Sequence, residues 1–168
     1  MYRLNAVLFQ WLKLGLPEGS GLASRQPCLT LNPFIDQNPA WPKMRVHPKI
    51  HWEEPGMVTL SLPKLIPATD LSAPPKTESV RMQIAALSCK AGNPSVVGSM
   101  HTTFADIACN GEEQEARDIA LPLTLQAGEL ALIIPGLRYT VERAGNLEVV
   151  TNKDWQPLDI IDAAYLPA

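Results

Sequence analysis

The sequence predicts a mainly β protein: a single immunoglobulin- or fibronectin-like antiparallel β-sandwich with an amphipathic helix at its N-terminus. Short apolar or alternating segments recur about every 8 to 12 residues, with Gly, Pro and Asn between them. Sixteen of the 168 residues are proline, which is too many for a helical bundle but is easily placed in the turns of a β fold. No helical patterns alternate with these segments, so a parallel α/β sheet is not expected.

The chain divides into a helical segment with its linker, residues 1–27, and a sandwich domain, residues 28–168. Gln10 and Lys13 interrupt the N-terminal apolar run, so it lacks the continuous core of a secretory signal, and a cytoplasmic location is favoured. No later stretch is long and apolar enough to span a membrane. The helix is predicted from apolar residues at helical spacing, namely Leu4, Val7, Leu8, Trp11 and Leu12.

The sandwich domain contains a series of predicted strands separated by turn residues. Gly98 is expected to mark a β-bulge in the longest of them, and Ala144-Gly145-Asn146 is expected to form a hairpin turn. Residues 63–78 hold four prolines and predict a long loop. The predicted strands are 28–34, 44–53, 57–62, 79–90, 95–109, 119–125, 129–135, 137–143 and 147–153, and residues 158–166 form either a last strand or a short helix.

Residues 46–56, VHPKIHWEEPG, place two histidines and a carboxylate close together in the sequence. In a strand, His47 and His51 lie roughly 13 Å apart, which is too far for both to bind one metal ion. Pro48 excludes the helix that would bring them together. Alternation instead predicts that His47, Lys49, His51 and Glu53 face solvent, while the opposite side faces the core: Val46, Pro48, Ile50 and Trp52. No metal site is predicted.

Other residue types that could carry chemistry lack the pattern that chemistry needs. The sequence contains no GxSxG-type nucleophile elbow that could act together with His101. His101 is therefore expected to be a hydrogen-bonded strand residue. Cys28, Cys89 and Cys109 form no CxxC motif. They are predicted to be free buried thiols, with a Cys89–Cys109 bridge as the alternative.

Charge and loop patterns exclude further classes of function. The net charge is −3 without a basic stripe, so no nucleic-acid surface is expected. The acidic segment with Glu112, Glu113, Glu115 and Asp118 lacks the ligand spacing of a calcium loop and predicts an exposed connection. Neither glycine-rich phosphate-binding pattern is present, and no cofactor is expected.

Two tryptophans, Trp41 and Trp155, lie in proline-flanked loops. Exposed loop tryptophans stack on sugars or dock protein partners, and buried ones close the end of a sandwich. These two residues are therefore the candidate binding residues of the chain.

Three segments resemble a family of uncharacterised bacterial proteins that pair an N-terminal helical segment with an immunoglobulin-like sandwich. The segments are Pro48-x-Ile50-x-Trp52, the stretch from Ala120 to Gly128, and Ala164 to Leu166. The resemblance implies the fold and, at most, a structural or interaction role. It implies no activity and no functional residue.

The sequence leaves two classes of function open. The first is a non-enzymatic module that binds a protein partner, or a second copy of itself, through a sheet edge, the N-terminal helix or the loop tryptophans. The second is a carbohydrate-binding module or small hydrolase that uses polar strand faces and Trp41 or Trp155. An enzyme would need His101 in a pocket beside an acid and a nucleophile.

Overall fold

The computed structural model describes residues 23–25, 29–30, 43–53, 57–90, 93–152, 155 and 159–166. The predicted N-terminal helix, Cys28 and Trp41 lie outside these residues. In the described part the strands are β1 (Ala23–Arg25), β2 (Leu29–Thr30), β3 (Lys49–Glu53), β4 (Met57–Leu62), β5 (Thr77–Lys90), β6 (Asn93–Ala108), β7 (Arg117–Pro122), β8 (Glu129–Arg143), β9 (Asn146–Val149), β10 (Asp159–Ile160) and β11 (Asp162–Leu166), and one short helix, α1 (Pro67–Asp70), lies between β4 and β5.

The strands form two packed antiparallel sheets, which confirms the predicted β-sandwich. The larger sheet has the order β1-β11-β8-β5-β6, with β9 also paired to β8. The smaller sheet has the order β3-β4-β7, and β10 and β2 form a separate two-stranded ribbon. Every described strand pair is antiparallel.

The main core lies between the two sheets and follows the period-two pattern of the sequence. The inward side of β5 carries the apolar residues that alternation predicted: Val80, Met82, Ile84 and Ala86 are all fully buried. The smaller sheet contributes Val58, Leu60 and Leu121 to the same cluster. We call the side of the larger sheet that faces this core its inner face.

A second apolar cluster covers part of the outer face of the larger sheet. Along β8, alternate residues belong to different clusters, with Ala131 and Ile133 in the inner core and Leu130 and Leu132 in the outer cluster. The uniformly apolar segment 129–135 is therefore buried on both faces of a central strand, as its composition predicted.

The two strands predicted at 129–135 and 137–143 are one continuous strand, β8, which runs through Pro135 and Gly136. The prediction of two separate strands was therefore wrong. The pairing of β11 on β8 stops at Ile133, and the pairing of β9 begins at Thr140. Proline is tolerated between these points because one side of β8 has no described ladder partner there.

Two local predictions are confirmed, and others need correction. Arg143 pairs with Asn146 across the tight turn Ala144-Gly145, where both turn residues have positive φ. Residues 159–166 form strands rather than a helix. Within the predicted loop 63–78, residues 67–70 form α1, and residues 23–25 of the predicted linker form β1 in the larger sheet.

Candidate interaction surface

Apolar side chains are exposed on the outer face of the larger sheet, next to its edge strand β6. Met100 and Phe104 expose 69% and 54% of their surface, and Val97 exposes 56%. Met100 pairs with the half-buried Leu87 of β5, so the exposed residues continue the outer apolar cluster towards the edge. We call Leu87, Val97, Met100 and Phe104 the outer patch.

The backbone of β6 presents hydrogen-bonding groups on the side away from β5. The Ser99 N–H points towards β5 and donates to Ser88 Oγ at 2.9 Å. The Asp106 carbonyl points the other way and accepts from Arg117 Nη2 at 2.9 Å. Because these directions alternate along an antiparallel strand, the N–H and C=O groups of Met100, Thr102 and Phe104 share the outward direction of Asp106. Among the described strands only β5 pairs with β6.

β6 carries almost no charge. Asp106 is the only Asp, Glu, Lys or Arg among its 16 residues. The Arg81 guanidinium donates to both carboxylate oxygens of Asp106, at 2.6 and 3.0 Å, and this hydrogen bonding with its charge holds the Asp106 pKa below its usual value. Arg81 also lies over the Phe104 ring, with Cζ 5.7 Å from the centroid. The ionic end of β6 is therefore already partnered within the chain.

The predicted bulge at Gly98 is confirmed, and it accommodates a buried carboxylate. The β5–β6 register shifts between Leu87 and Cys89, so that Gly98 and Ser99 together lie opposite Ser88. A Cβ at Gly98 would meet the Glu129 carboxylate and would lie 2.7 Å from Ser88 Oγ. Glu129 is 4% exposed, and its Oε2 accepts from the Gln126 N–H at 3.0 Å.

A second buried carboxylate joins the two sheets. Trp52 Nε1 on β3 donates to Asp162 Oδ2 on β11 at 3.1 Å, and the Ala163 N–H donates to Oδ1 at 2.7 Å. Trp52 also packs against the inner core with Val46 and Ile50, as alternation predicted. Sequence reasoning missed Asp162, because its partner lies 110 positions away in the chain.

Trp155 is half-buried and is partly covered by its neighbours. Its ring meets the buried Tyr139 edge-on at 5.6 Å between centroids, and Lys43 Nζ lies 4.1 Å from its centroid. Trp155 nevertheless lines a surface pocket of about 540 Å³, together with Glu142, Arg143 and other residues. Of the two candidate tryptophans, the structure therefore places Trp155 at a pocket, and Trp41 lies outside the described residues.

The histidines are not brought together. His47 is exposed before the start of β3, His51 is exposed on β3, and His101 is half-buried on β6. In the described ranges, no group of three or more His, Cys, Asp or Glu side chains is placed to hold a metal ion. His101 lines neither the pocket beside Trp155 nor the second described pocket, beside Lys43 and Arg45.

Cys89 and Cys109 are free thiols, so the alternative of a bridge between them is not realised. Cys89 belongs to the outer cluster, whereas Cys109 packs against the inner core. Burial raises the pKa of Cys89 to about 11, and burial also raises the pKa of Cys109. Both thiols are therefore protonated at neutral pH and are weak nucleophiles.

The acidic connection before β7 is exposed, as predicted, and it contacts a lysine. Lys64 Nζ lies 2.6 Å from Glu113 Oε1 and 3.7 Å from Glu115 Oε1. The hydrogen bond to Glu113 raises the Lys64 pKa. Exposed pairs of this kind contribute little to stability. In the part of the chain that the structure describes, no helix has the length and apolarity needed to cross a membrane.

In comparisons with known proteins, no family model, curated protein or solved structure matches this chain. The fold and the surface together define a class: an antiparallel β-sandwich with a long, nearly uncharged edge strand beside exposed apolar side chains.

Proposed function

We propose that this protein is a non-enzymatic interaction module whose β-sandwich binds an extended polypeptide segment along the edge of β6 with which no described strand pairs. The observation that carries the proposal is the combination, on one edge strand, of outward-facing backbone groups with the exposed side chains of Met100 and Phe104. The immunoglobulin-like relationship belongs to the same proposal, and the two packed antiparallel sheets support it.

Strand addition is the binding mode that fits this edge. An added strand obtains its affinity from main-chain hydrogen bonds to the sheet edge, and its specificity from contacts with alternate side chains. In β6 the edge-facing residues Met100, Thr102 and Phe104 also carry their side chains on the outer face. A bound strand would therefore place every second side chain beside the outer patch, where apolar contacts add to the hydrogen bonds.

Selection from a displayed library of short random peptides tests the proposal. We expect the wild-type protein and the control variant Thr124→Lys to enrich the same peptides, and Thr102→Lys to enrich none of them. Both threonines are exposed, but only Thr102 lies on β6. An enriched peptide should also slow amide hydrogen exchange at the edge-facing residues Met100, Thr102 and Phe104.

Failure of the selection would count directly against the proposal. If the wild-type protein enriches no peptide, or if Thr102→Lys binds the enriched peptides as well as Thr124→Lys does, the edge of β6 is not a polypeptide-binding site.

The pocket beside Trp155 favours a second candidate, a carbohydrate-binding module or small hydrolase. The pocket combines an aromatic side chain with polar and charged ones, among them Glu142, Arg143 and Asn152. A glycan array probed with the wild-type protein and with Arg143→Ala tests this candidate. Glycan binding that is lost in Arg143→Ala supports it, and the absence of binding by the wild-type protein rejects it.

A further inference from the structure

We infer that the strand bound by β6 is β6 of a second copy of this chain, paired antiparallel about a two-fold axis at Thr102. The inference rests on the proposed function, because it names the partner for the same edge. Such an arrangement would join the two larger sheets into one continuous sheet across the dimer.

The backbone of β6 fits this symmetry. Edge-facing groups belong to Met100, Thr102 and Phe104, as the bonds of Ser99 and Asp106 establish. A two-fold axis at Thr102 therefore brings two edge-facing residues together, and each Thr102 exchanges two N–H···O bonds with its copy. An axis at the neighbouring positions His101 or Thr103 would bring together groups that point towards β5.

The side chains of the outer face are complementary in the same register. The axis places Met100 of each copy opposite Phe104 of the other, so one apolar–aromatic pair forms twice. Asp106 lies beyond the regular ladder of Met100 to Phe104, because the bulge at Gly98 and Ser99 interrupts regular pairing there. Asp106 keeps its bonds to Arg81. No like charges meet along the interface.

The other edge-facing positions make poorer axes. An axis at Phe104 leaves Met100 opposite Ala108, where β6 ends, so the Met100–Phe104 pairs are lost. An axis at Met100 runs the paired segment through the bulge at Gly98 and Ser99, where the extra residue disrupts the regular ladder. Thr102 is the centre that uses the regular part of the strand.

β6 also lacks the charges that usually protect an edge strand. Lysines, other charges, prolines and short length discourage edge-to-edge pairing in natural sheets. The edge strand β3 of the smaller sheet has Lys49, His51 and Glu53 among its five residues, and β9 has only four residues. β6 has 16 residues and one charged side chain, and its one proline, Pro94, lies outside the segment Met100 to Phe104. Among these three strands β6 is therefore the least protected against edge pairing.

Sedimentation equilibrium over a concentration series tests for the dimer. Edge pairing buries a small area, so we expect a dissociation constant in the micromolar range. In Thr102→Lys the two introduced lysines face each other across the axis, and we expect dimerisation to weaken by about tenfold or more. Thr124→Lys adds the same charge away from β6 and should dimerise like the wild-type protein. Circular dichroism checks that both variants are folded.

A cysteine placed at the axis tests the register. In a Cys28→Ser/Cys109→Ser background, Thr102→Cys should form a disulfide-linked dimer on mild oxidation, since its two Cα atoms would lie about 5.5 Å apart. The control Ala108→Cys faces the same side of β6, but the two copies would lie roughly 40 Å apart and should not be linked.

The outcomes separate this inference from the proposed function. If the protein stays monomeric while displayed peptides bind at β6, the second copy is not the partner and the peptide-binding function stands. If peptides also fail to bind, both ideas fail. If Thr102→Lys still dimerises and Thr102→Cys forms no disulfide-linked dimer, the dimer interface lies elsewhere on the protein. If the amides of Met100, Thr102 and Phe104 are protected from exchange in a monomer, another part of the chain occupies the edge, and the inference is then wrong.

Discussion

At the scale of single residues, Gly98 shows how one missing side chain makes room for a buried charge. The bulge lets β6 pass close to Glu129 and Ser88, and a Cβ at this position would occupy space that their polar atoms fill. Glu129 keeps its hydrogen bond from Gln126 because the carboxylate has room beside the backbone of β6. Glycine at position 98 is therefore required by close approach, not by an unusual φ.

Gly98→Ala should lower the free energy of unfolding by about 1–3 kcal/mol, because the added methyl group forces the Glu129 and Ser88 side chains to move. Guanidinium unfolding measures the change.

A double-mutant cycle with Glu129→Ala provides the control for this prediction. Removing the carboxylate opens the space, so Gly98→Ala should cost less in the Glu129→Ala background than in the wild type. Equal costs in both backgrounds would contradict the steric explanation.

At the scale of elements, the bond from Trp52 to Asp162 fixes β3 of the smaller sheet against β11 of the larger sheet. Asp162 is 1% exposed, so each hydrogen bond to its carboxylate offsets part of the cost of removing it from water. The apolar part of Trp52 packs on the inner core at the same time. One side chain thus provides both packing and polar contact between the sheets.

Trp52→Phe keeps an aromatic ring on the core but removes the indole N–H, so Asp162 loses one of its donors. We expect the free energy of unfolding to fall by about 1–3 kcal/mol, as measured by chemical denaturation. His51→Ala, on the exposed side of the same strand, should change it by no more than about 0.5 kcal/mol. A Trp52→Phe protein as stable as the His51→Ala protein would show that this bond contributes no net stability.

At the scale of the whole molecule, β5 and β8 belong to both apolar clusters. Their inward residues build the core between the sheets, and Cys89, Leu130 and Leu132 build the outer cluster. Because the same two strands carry both clusters, we expect the sandwich to lose both in one cooperative transition.

Labelling of Cys89 by a thiol reagent tests this cooperativity in a Cys28→Ser/Cys109→Ser protein. The thiol is buried and its pKa is raised to about 11, so we expect negligible labelling of the native protein at pH 8. The labelling rate should rise with denaturant in parallel with global unfolding monitored by tryptophan fluorescence. Fast labelling that does not depend on denaturant would mean that the outer cluster opens separately from the core.

The sequence-based predictions were correct where a local pattern is compatible with only one local structure. Alternation in β5 and around Trp52 predicted the buried face of each strand, because successive side chains in a strand point to opposite sides. Ala144-Gly145-Asn146 predicted its hairpin because the turn needs residues that accept positive φ. The same reasoning failed at Pro135, where the ladder partners of β8, rather than the proline itself, decided whether the strand continued.

The sequence predicted the type of the candidate surface but not its position in the fold. The sequence indicated a sheet edge as one possible binding surface, but it could not identify β6 as the edge strand, because strand order is set by pairing between distant segments. From the sequence, Met100 and Phe104 could be placed only on the strand face opposite His101. Whether that face is exposed depends on what packs against it.

The sequence by itself determined the sandwich class, most of the strands and the core-facing side of β5, because these follow from side-chain alternation and local turn chemistry. Only the tertiary structure decided which strand lies at the edge, which carboxylates are buried, and where apolar side chains meet solvent. These properties depend on contacts between residues far apart in the chain, such as Trp52 with Asp162 and Gly98 with Glu129. No local pattern encodes such contacts, since each partner's environment exists only once the sheets have packed.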